Sequence, residues 1–433
     1  MKALVIGSGG REQALAWKMS WSELITDIFI APGNGGVLPK CHNVEIEVCD
    51  FPALAALIKR EGIELVVVGP EVPLVAGVVD YLKSDPELQD LYIVGPTKAG
   101  AELEGSKDFA KDFMQRHGIP TAKYRTFTAE TLEEGLEYLR TEEQPPYVLK
   151  ADGLAAGKGV VICETLADAQ ANMREMLGGK FGNASASVVV ESYLKGIECS
   201  VFILTDGRHY MLLPNAKDYK RIGDKDTGLN TGGMGAVSPV PFADEPFMEK
   251  VKRQIIEPTV QGLSRDGIDY RGFIFFGLMS VDGNPYVIEY NCRMGDPETE
   301  AVMLRTKGDL VGTFLSLRDQ ILDEVEPLEE FEEVATTVVA VAKGYPEKYE
   351  KGAVILDNGT PQEDTYLFHM GTKRTSDGEL QTNGGRVLAV SALGKSATEA
   401  REKAYARLAQ IHYDGMVYRS DIGKDLLDLT DVR

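Results

Sequence analysis

Ala3-Leu4-Val5-Ile6-Gly7-Ser8-Gly9-Gly10-Arg11-Glu12-Gln13 lies almost at the start of the 433-residue chain, and the class of fold turns on how it reads. The apolar run has no polar face, so it predicts a strand covered on both sides, and the glycines that stop it lead straight into a helix-period stretch. The same sequence of run, Gly or Pro, and helix returns at 28–31, 65–69 and 92–95. Strands of this kind alternating with helices make a parallel, doubly wound sheet. Its ligand edge should carry Ser8 to Glu12, Pro32-Gly33-Asn34, Pro70-Glu71 and Pro96-Thr97 side by side.

From about Glu104 the texture changes. Ser106 is placed to cap a helix through Arg116, and His117-Gly118-Ile119-Pro120 stops it. Strands are expected at 147–150, 188–191 and 199–205, with turns at Asp206-Gly207 and Asp282-Gly283-Asn284-Pro285, the latter leading into 286–291. Residues 323–333 hold seven Asp or Glu and no base, which suggests a solvated linker. Beyond it, 335–342, 386–390 and an amphipathic helix over 397–411 form a small α+β tail. The expected units are 1–103, 104–325 with a lid at about 123–194, and 326–433.

A net charge of −21 would repel a phosphodiester backbone, so nucleic acid is not an expected partner. A local pocket for a small phosphorylated molecule stays open. No window approaches the ~20 apolar residues of a membrane span. The five cysteines are scattered, without a C-x-x-C pair, and read as reduced, packed thiols. With no signal-peptide pattern after Met1-Lys2, a cytoplasmic enzyme is expected.

Four segments can bear chemistry. The first glycine cluster aims backbone N–H groups and a helix dipole at an anion, although a tight strand-to-helix turn would need the same glycines. Glu12 stands where the dinucleotide fingerprint wants Gly, and the second strand ends without an acid, which argues against NAD. Lys150-Ala151-Asp152-Gly153-Leu154-Ala155-Ala156-Gly157-Lys158-Gly159-Val160 fails the Walker A spacing. It reads as a hairpin loop that can fold over a polyphosphate with Lys150 and Lys158, or as a bland glycine-rich surface turn. In Glu289-Tyr290-Asn291-Cys292-Arg293, alternation puts Glu289, Asn291 and Arg293 on one face. Two hard oxygen donors there suit magnesium and the guanidinium suits a phosphoryl group, while an ordinary polar strand face remains the alternative. Asp296 as N-cap and Pro297 at the next position should start a helix. The polar, glycine-rich segment from Asp218 to Gly235 reads as a mobile loop that orders around substrate, or as an exposed loop of no special role. The five histidines are spread out and read as caps or surface residues.

The order of these segments, with Glu104-Gly105-Ser106-Lys107, Val190-Glu191-Ser192-Tyr193-Leu194, Met294-Gly295-Asp296-Pro297-Glu298 and Thr382-Asn383-Gly384-Gly385-Arg386-Val387, resembles the phosphoribosylamine–glycine ligase family of the ATP-grasp superfamily along the whole chain. The resemblance implies a Rossmann-like parallel sheet, an ATP-grasp unit and a C-terminal α+β domain. It implies ATP, glycine and 5-phosphoribosylamine as substrates, a magnesium or manganese ion, and a monomer or weak homodimer. By position, Lys107, Lys150, Gly153, Gly157, Lys158 and Gly159 correspond to phosphate-loop residues. Glu191, Tyr193 and Leu194 correspond to the adenine hinge, and Glu198 to the ribose contact. Glu289 and Asn291 match metal ligands. Asp218, Asn230, Thr231, Gly232, Gly233 and Arg293 match the acyl-acceptor region, with Lys150, Asp218 and Arg293 acting on the reacting groups. Gly9, Gly10, Arg11, Asn34 and Glu71 would face the phosphoribosyl group. Gln13, Tyr219 and Leu229 depart from the family pattern, which frequently has His, His and Pro there, and altered amine-substrate contacts are expected. A nicotinamide oxidoreductase, a nucleotide sensor without turnover, and another ATP-grasp ligase or carboxylase of purine synthesis are the competing readings.

Overall fold

A computed structural model describes residues 1–154, 159–360 and 362–430. Lys2–Gly7 sits at the centre of a five-stranded parallel sheet, flanked by Asp27–Pro32 and Leu65–Val68, with Cys41–Asn43 and Tyr92–Val94 at the edges. The short edge strand Cys41–Asn43 has no apolar run to announce it. The chain builds outward in one direction and then the other, so the order reverses between Lys2–Gly7 and Leu65–Val68, and a crevice opens beyond their ends.

Helix Lys107–Arg116 follows, capped as expected by Ser106, whose Oγ accepts from Phe109 N at 3.1 Å. Next comes an antiparallel four-stranded sheet in the order Tyr124–Thr128, Ser187–Glu191, Tyr147–Ala151, Val160–Cys163, covered by helices Leu132–Thr141 and Leu166–Leu177. It has a core of its own, with Phe127, Leu139, Leu149, Met173 and Val190 at its centre. Opposite lies an eight-stranded sheet in which Asn284–Asn291, Gly272–Val281, Ile197–Thr205, Tyr210–Asp218 and Gly235–Ser238 run on into Val334–Val341, Arg386–Gly394 and Thr365–His369. The tail strands extend the central sheet through the pairing of Gly235 to Ser238 with Val338 to Ala335.

Three expectations need correction. The acidic run 323–333 is not simply solvated. Glu329–Glu330 pairs with Thr306–Lys307, and Arg305 donates to the Phe331 and Glu333 carbonyls at 2.9 and 2.7 Å. Its bases come from upstream, where a scan of the run alone cannot see them. The helix expected over 397–411 is Ala397–Leu408, after which Ile411–His412 turns into a strand against Leu356–Asp357. Asp296 does not cap its helix, which runs Glu298–Arg305, because its carboxylate is drawn to Arg386 and to the N–H of Arg11. No helix among the described residues is long and apolar enough to cross a membrane.

Candidate active site

The four-stranded sheet meets the large sheet through Lys150, with Lys107 nearby on helix Lys107–Arg116. Lys150 is buried on Tyr147–Ala151, with Nζ 2.9 Å from Glu191 Oε1 and donating to the Ile288 carbonyl at 3.2 Å. Lys107 donates to the carbonyls of Asp152 and Gly153 at 3.3 and 3.2 Å, tying the base of the glycine loop to its helix. Burial depresses the Lys107 pKa, with Glu289 opposing and Lys150 reinforcing the shift. Asp152 completes this anchor by accepting from Ser106 Oγ and Asp108 N at 3.0 and 2.8 Å. Gly157 and Lys158 lie outside the described residues.

Glu191, expected beside adenine, has its carboxylate between two ammonium groups, since Lys111 Nζ lies 3.0 Å from its other oxygen. Burial would raise the Glu191 pKa, but the two lysines hold it below the usual carboxylate range. Tyr193 follows as an exposed side chain on the segment joining the lid to the large sheet, and Leu194 lies on the same segment. Glu198, on the first strand beyond it, is 2.6 Å from Lys220 Nζ.

The opposite wall is strand Asn284–Asn291. An irregularity opposite Gly277 and Leu278 shifts its register by one residue at Ile288. Tyr290 is buried in the core behind, while Glu289 shares its electrostatic surroundings with Lys107, Lys220 and Asp218. Asn291 is buried, and its Nδ2 has no hydrogen-bond partner among the described residues. Burial raises the Asp218 pKa despite Lys220, and Glu198 and Glu289 push the same way. Lys220 answers three carboxylates at once and is held well above its ordinary value against the effect of burial.

The strand ends at Asn291, so Arg293 lies beyond it rather than continuing the shared face. Its guanidinium is 2.6 Å from Glu104 Oε1 and 3.3 Å from Glu71 Oε2. Glu104 also accepts from Cys292 N at 2.8 Å, so the turn after strand Asn284–Asn291 is bolted to the end of helix Lys98–Gly105. Burial raises the Glu104 pKa, whereas in Glu71 the attraction of Arg293 and Arg11 overcomes burial and lowers it. Glu298 is pushed up to about 8 by burial and then by Asp218.

The first glycine loop differs from its expectation in one respect. Its N–H groups are not all free for an anion, because Gly9 N donates to Glu12 Oε2 at 2.6 Å and Arg11 N to Asp296 Oδ2 at 3.3 Å. The Glu12 carboxylate fills the space that small residues leave, and a Cβ on Gly69 would come within 2.1 Å of its Oε1. Arg11 Nε is 2.6 Å from that carboxylate and its Nη1 donates to the Met294 carbonyl at 3.2 Å. Beside this loop a cavity of about 210 Å³ is lined by Gly9, Gln13, Asn34, Val37, Cys41 and Asn43 among others. Asn34 Nδ2 donates to Ser8 O and His369 O at 3.0 and 2.8 Å, and Gln13 accepts from His369 N.

The glycine loop Asn230 to Gly235 reaches the same region through Arg386, which donates to Gly232 O at 2.8 Å and Asp296 O at 2.6 Å. The preceding segment is a small hairpin, Arg221–Gly223 against Thr227–Asn230, rather than an irregular loop. Tyr219 does not reach toward the acceptor region. It is buried with its hydroxyl on Asp425 at 2.6 Å, so the C-terminal segment holds it. Glu12, Glu104, Lys220, Glu298 and Arg386 lie in segments that the sequence marks out but were given no role at the site, and Lys111 was not singled out, although it stands one helical turn after Lys107.

Models of phosphoribosylglycinamide synthetase match in succession, the N domain at residues 1–104, the ATP-grasp (A) domain at 105–299 and the C domain at 335–425. The chain belongs to this family. The phosphoribosylamine–glycine ligase of Escherichia coli (strain K12) is 49% identical over 98% of either chain. The crystal structure of that ligase from Thermotoga maritima superposes on this ATP-grasp enzyme fold with a TM-score of 0.82 at 34% identity, covering 98% of this chain and 100% of the other. The biotin carboxylase domain of Hydrogenobacter thermophilus 2-oxoglutarate carboxylase, solved with MgADP, shares the fold alone, at a TM-score of 0.69 and 17% identity over 96% and 91% of the two chains.

Proposed function

We propose that the chain joins glycine to 5-phosphoribosylamine, cleaving ATP to ADP and phosphate by way of glycyl phosphate. The observation behind this reading is the 49% identity to phosphoribosylamine–glycine ligase over nearly the full length, which includes both walls of the cleft. A glycine carboxylate resists attack because resonance and charge repel a nucleophile, so its oxygen first takes the γ-phosphoryl group of ATP. Lys150 on the lid and Lys107 on the helix before it offset phosphate charge. The Glu289 and Asn291 donor set, two hard oxygens on one wall, fits magnesium or manganese better than a thiophilic metal. Such an ion neutralises charge on phosphate oxygens when bound. The lid, with its own core, can close as one body and exclude water from the acyl phosphate.

Arg293, fixed by Glu104, Glu71 and the Met294 carbonyl, is suited to offset negative charge on the glycine carboxylate as it is phosphorylated. The amine then attacks the acyl carbon, phosphate leaves, and Asp218, its basicity raised by burial, is suited to receive the proton the nitrogen gives up. The cavity beside Gly9 and Asn34 takes the ribosyl group. Five free thiols, three of them buried, suit the reducing cytoplasm in which we place the enzyme, as a monomer or weak homodimer.

The test is ADP release with phosphoribosylamine generated in situ. Release must depend on glycine, and release triggered by bicarbonate or formate instead would reassign the chain to another ATP-grasp activity. Glu289→Ala should abolish metal-dependent ADP formation with the melting temperature retained, and normal turnover in that variant would remove the metal assignment.

A further inference from the structure

Lys111 has no part in the chemistry above, yet it is 2% exposed and among the largest fully buried side chains. Its Nζ lies 3.0 Å from Glu191 Oε2 and donates to Thr121 Oγ1 at 2.7 Å, and that hydroxyl donates to the Val287 carbonyl at 2.7 Å. On the other side of Glu191, Lys150 Nζ lies 2.9 Å away and also donates to the carbonyl of Ile288, the residue after Val287. One chain of contacts therefore runs from the metal-donor strand through Thr121, Lys111, Glu191 and Lys150 back to the same strand, crossing the junction of lid and large sheet.

We propose that Lys111 is a positioning residue for ATP, which keeps Glu191 neutralised so that the Lys150 ammonium can leave it for a phosphate. The role rests on the reading of Lys150 as a phosphate ligand. With nucleotide absent, Lys150 is parked on Glu191, and if it were the only cation there, its departure would strand a buried carboxylate, a strongly unfavourable state. Lys111 removes that obstacle because it remains on Glu191 when Lys150 moves. It also holds the Glu191 carboxylate in place through Thr121, which gives the lid a fixed point to hinge against.

The groups facing Lys111 are Glu191 and Lys150 on the lid strands, Thr121, and Tyr124, whose ring centroid is 5.8 Å from Nζ. Burial lowers the Lys111 pKa to about 8, against the pull of Glu191. Below that pH it is charged and able to release Lys150, and above it the ammonium is lost.

Lys111→Met should raise the KM for ATP roughly tenfold or more, the scale for truncating one partner of a buried charge pair, with the KM for glycine little changed. Lys111→Arg should recover most of the loss. In the native enzyme the affinity for ATP should fall as pH rises through about 8, and Lys111→Arg, which stays charged, should flatten that limb. If Lys111→Met does not fold, Thr121→Val, which leaves the charge but removes its orienting acceptor, decides the matter through the same KM. A folded variant with an unaltered KM for ATP and an unaltered pH profile overturns the role of Lys111. A native chain whose melting temperature ignores ATP overturns the nucleotide reading as well, so the two failures are distinct.

Discussion

At the scale of single residues, Glu12 decides what the first loop can bind. A carboxylate in the glycine cradle takes the Gly9 N–H and pairs with Arg11, so the place where a dinucleotide fold receives pyrophosphate is filled by the protein's own anion. His369, whose backbone bonds to Gln13 and Asn34, is a second buried group with a readable consequence. Burial and then Arg374 lower its pKa to about 4, from an ordinary 6.5, so the folded protein keeps it neutral where the unfolded chain would protonate it. The unfolded state therefore binds more protons between those two values, and stability is lost as pH falls from about 6.5 toward 4. The loss should amount to roughly 3 kcal/mol at full development. Comparing the urea midpoint at pH 7 and pH 5 should show a smaller drop in His369→Gln than in the native protein, and equal drops would remove the assignment.

At the scale of elements, the hairpin Arg221–Gly223 with Thr227–Asn230 has four-residue strands at most and packs only Ile222 on the core, too little to hold itself together. The C-terminal segment supplies the support. Arg419, with its side chain 1% exposed, donates to Arg221 O at 3.2 Å and pairs with Asp226 and Asp421 at 2.7 and 2.8 Å. Ser420 N donates to Asp224 Oδ1 and Lys225 N to Asp421 Oδ2, at 2.9 and 2.7 Å. Arg419→Met should leave these carboxylates unbalanced, cost on the order of 3 kcal/mol, and open the hairpin to protease around Lys220 and Lys225. An unaltered cleavage pattern would show that the hairpin does not depend on this strap.

At the scale of the whole molecule, ATP would touch both the lid, with its separate core, and the large sheet, whose strands belong to the two other cores. A ligand gripping both should stabilise the folded chain by about 2.7 kcal/mol at a hundred times its Kd. ATP with magnesium should therefore raise the melting temperature by several degrees, whereas NADH, excluded by Glu12 and lacking the second wall, should leave it unmoved. A shift with NADH alone would revive the oxidoreductase reading.

Four of the five strands of the parallel sheet, the Ser106 cap and the Asp282-Gly283 turn were legible in the residues, because apolar runs, capping oxygens and left-handed turn positions act over a few residues. Lys107, Lys150, Glu289 and Asn291 were marked out in short segments, and the structure brings Lys107, Lys150 and Glu289 within electrostatic reach of one another. Only the tertiary structure decided that Asp296 faces Arg386 instead of capping a helix, that Arg293 is held by Glu71 and Glu104, and that Tyr219 answers to Asp425. Those partners lie 90 to more than 200 residues apart in the chain. Charge pairing depends on separation in space and on loss of water, neither of which a linear pattern records, so the electrostatic wiring of the site emerges only once the three cores bring those segments together.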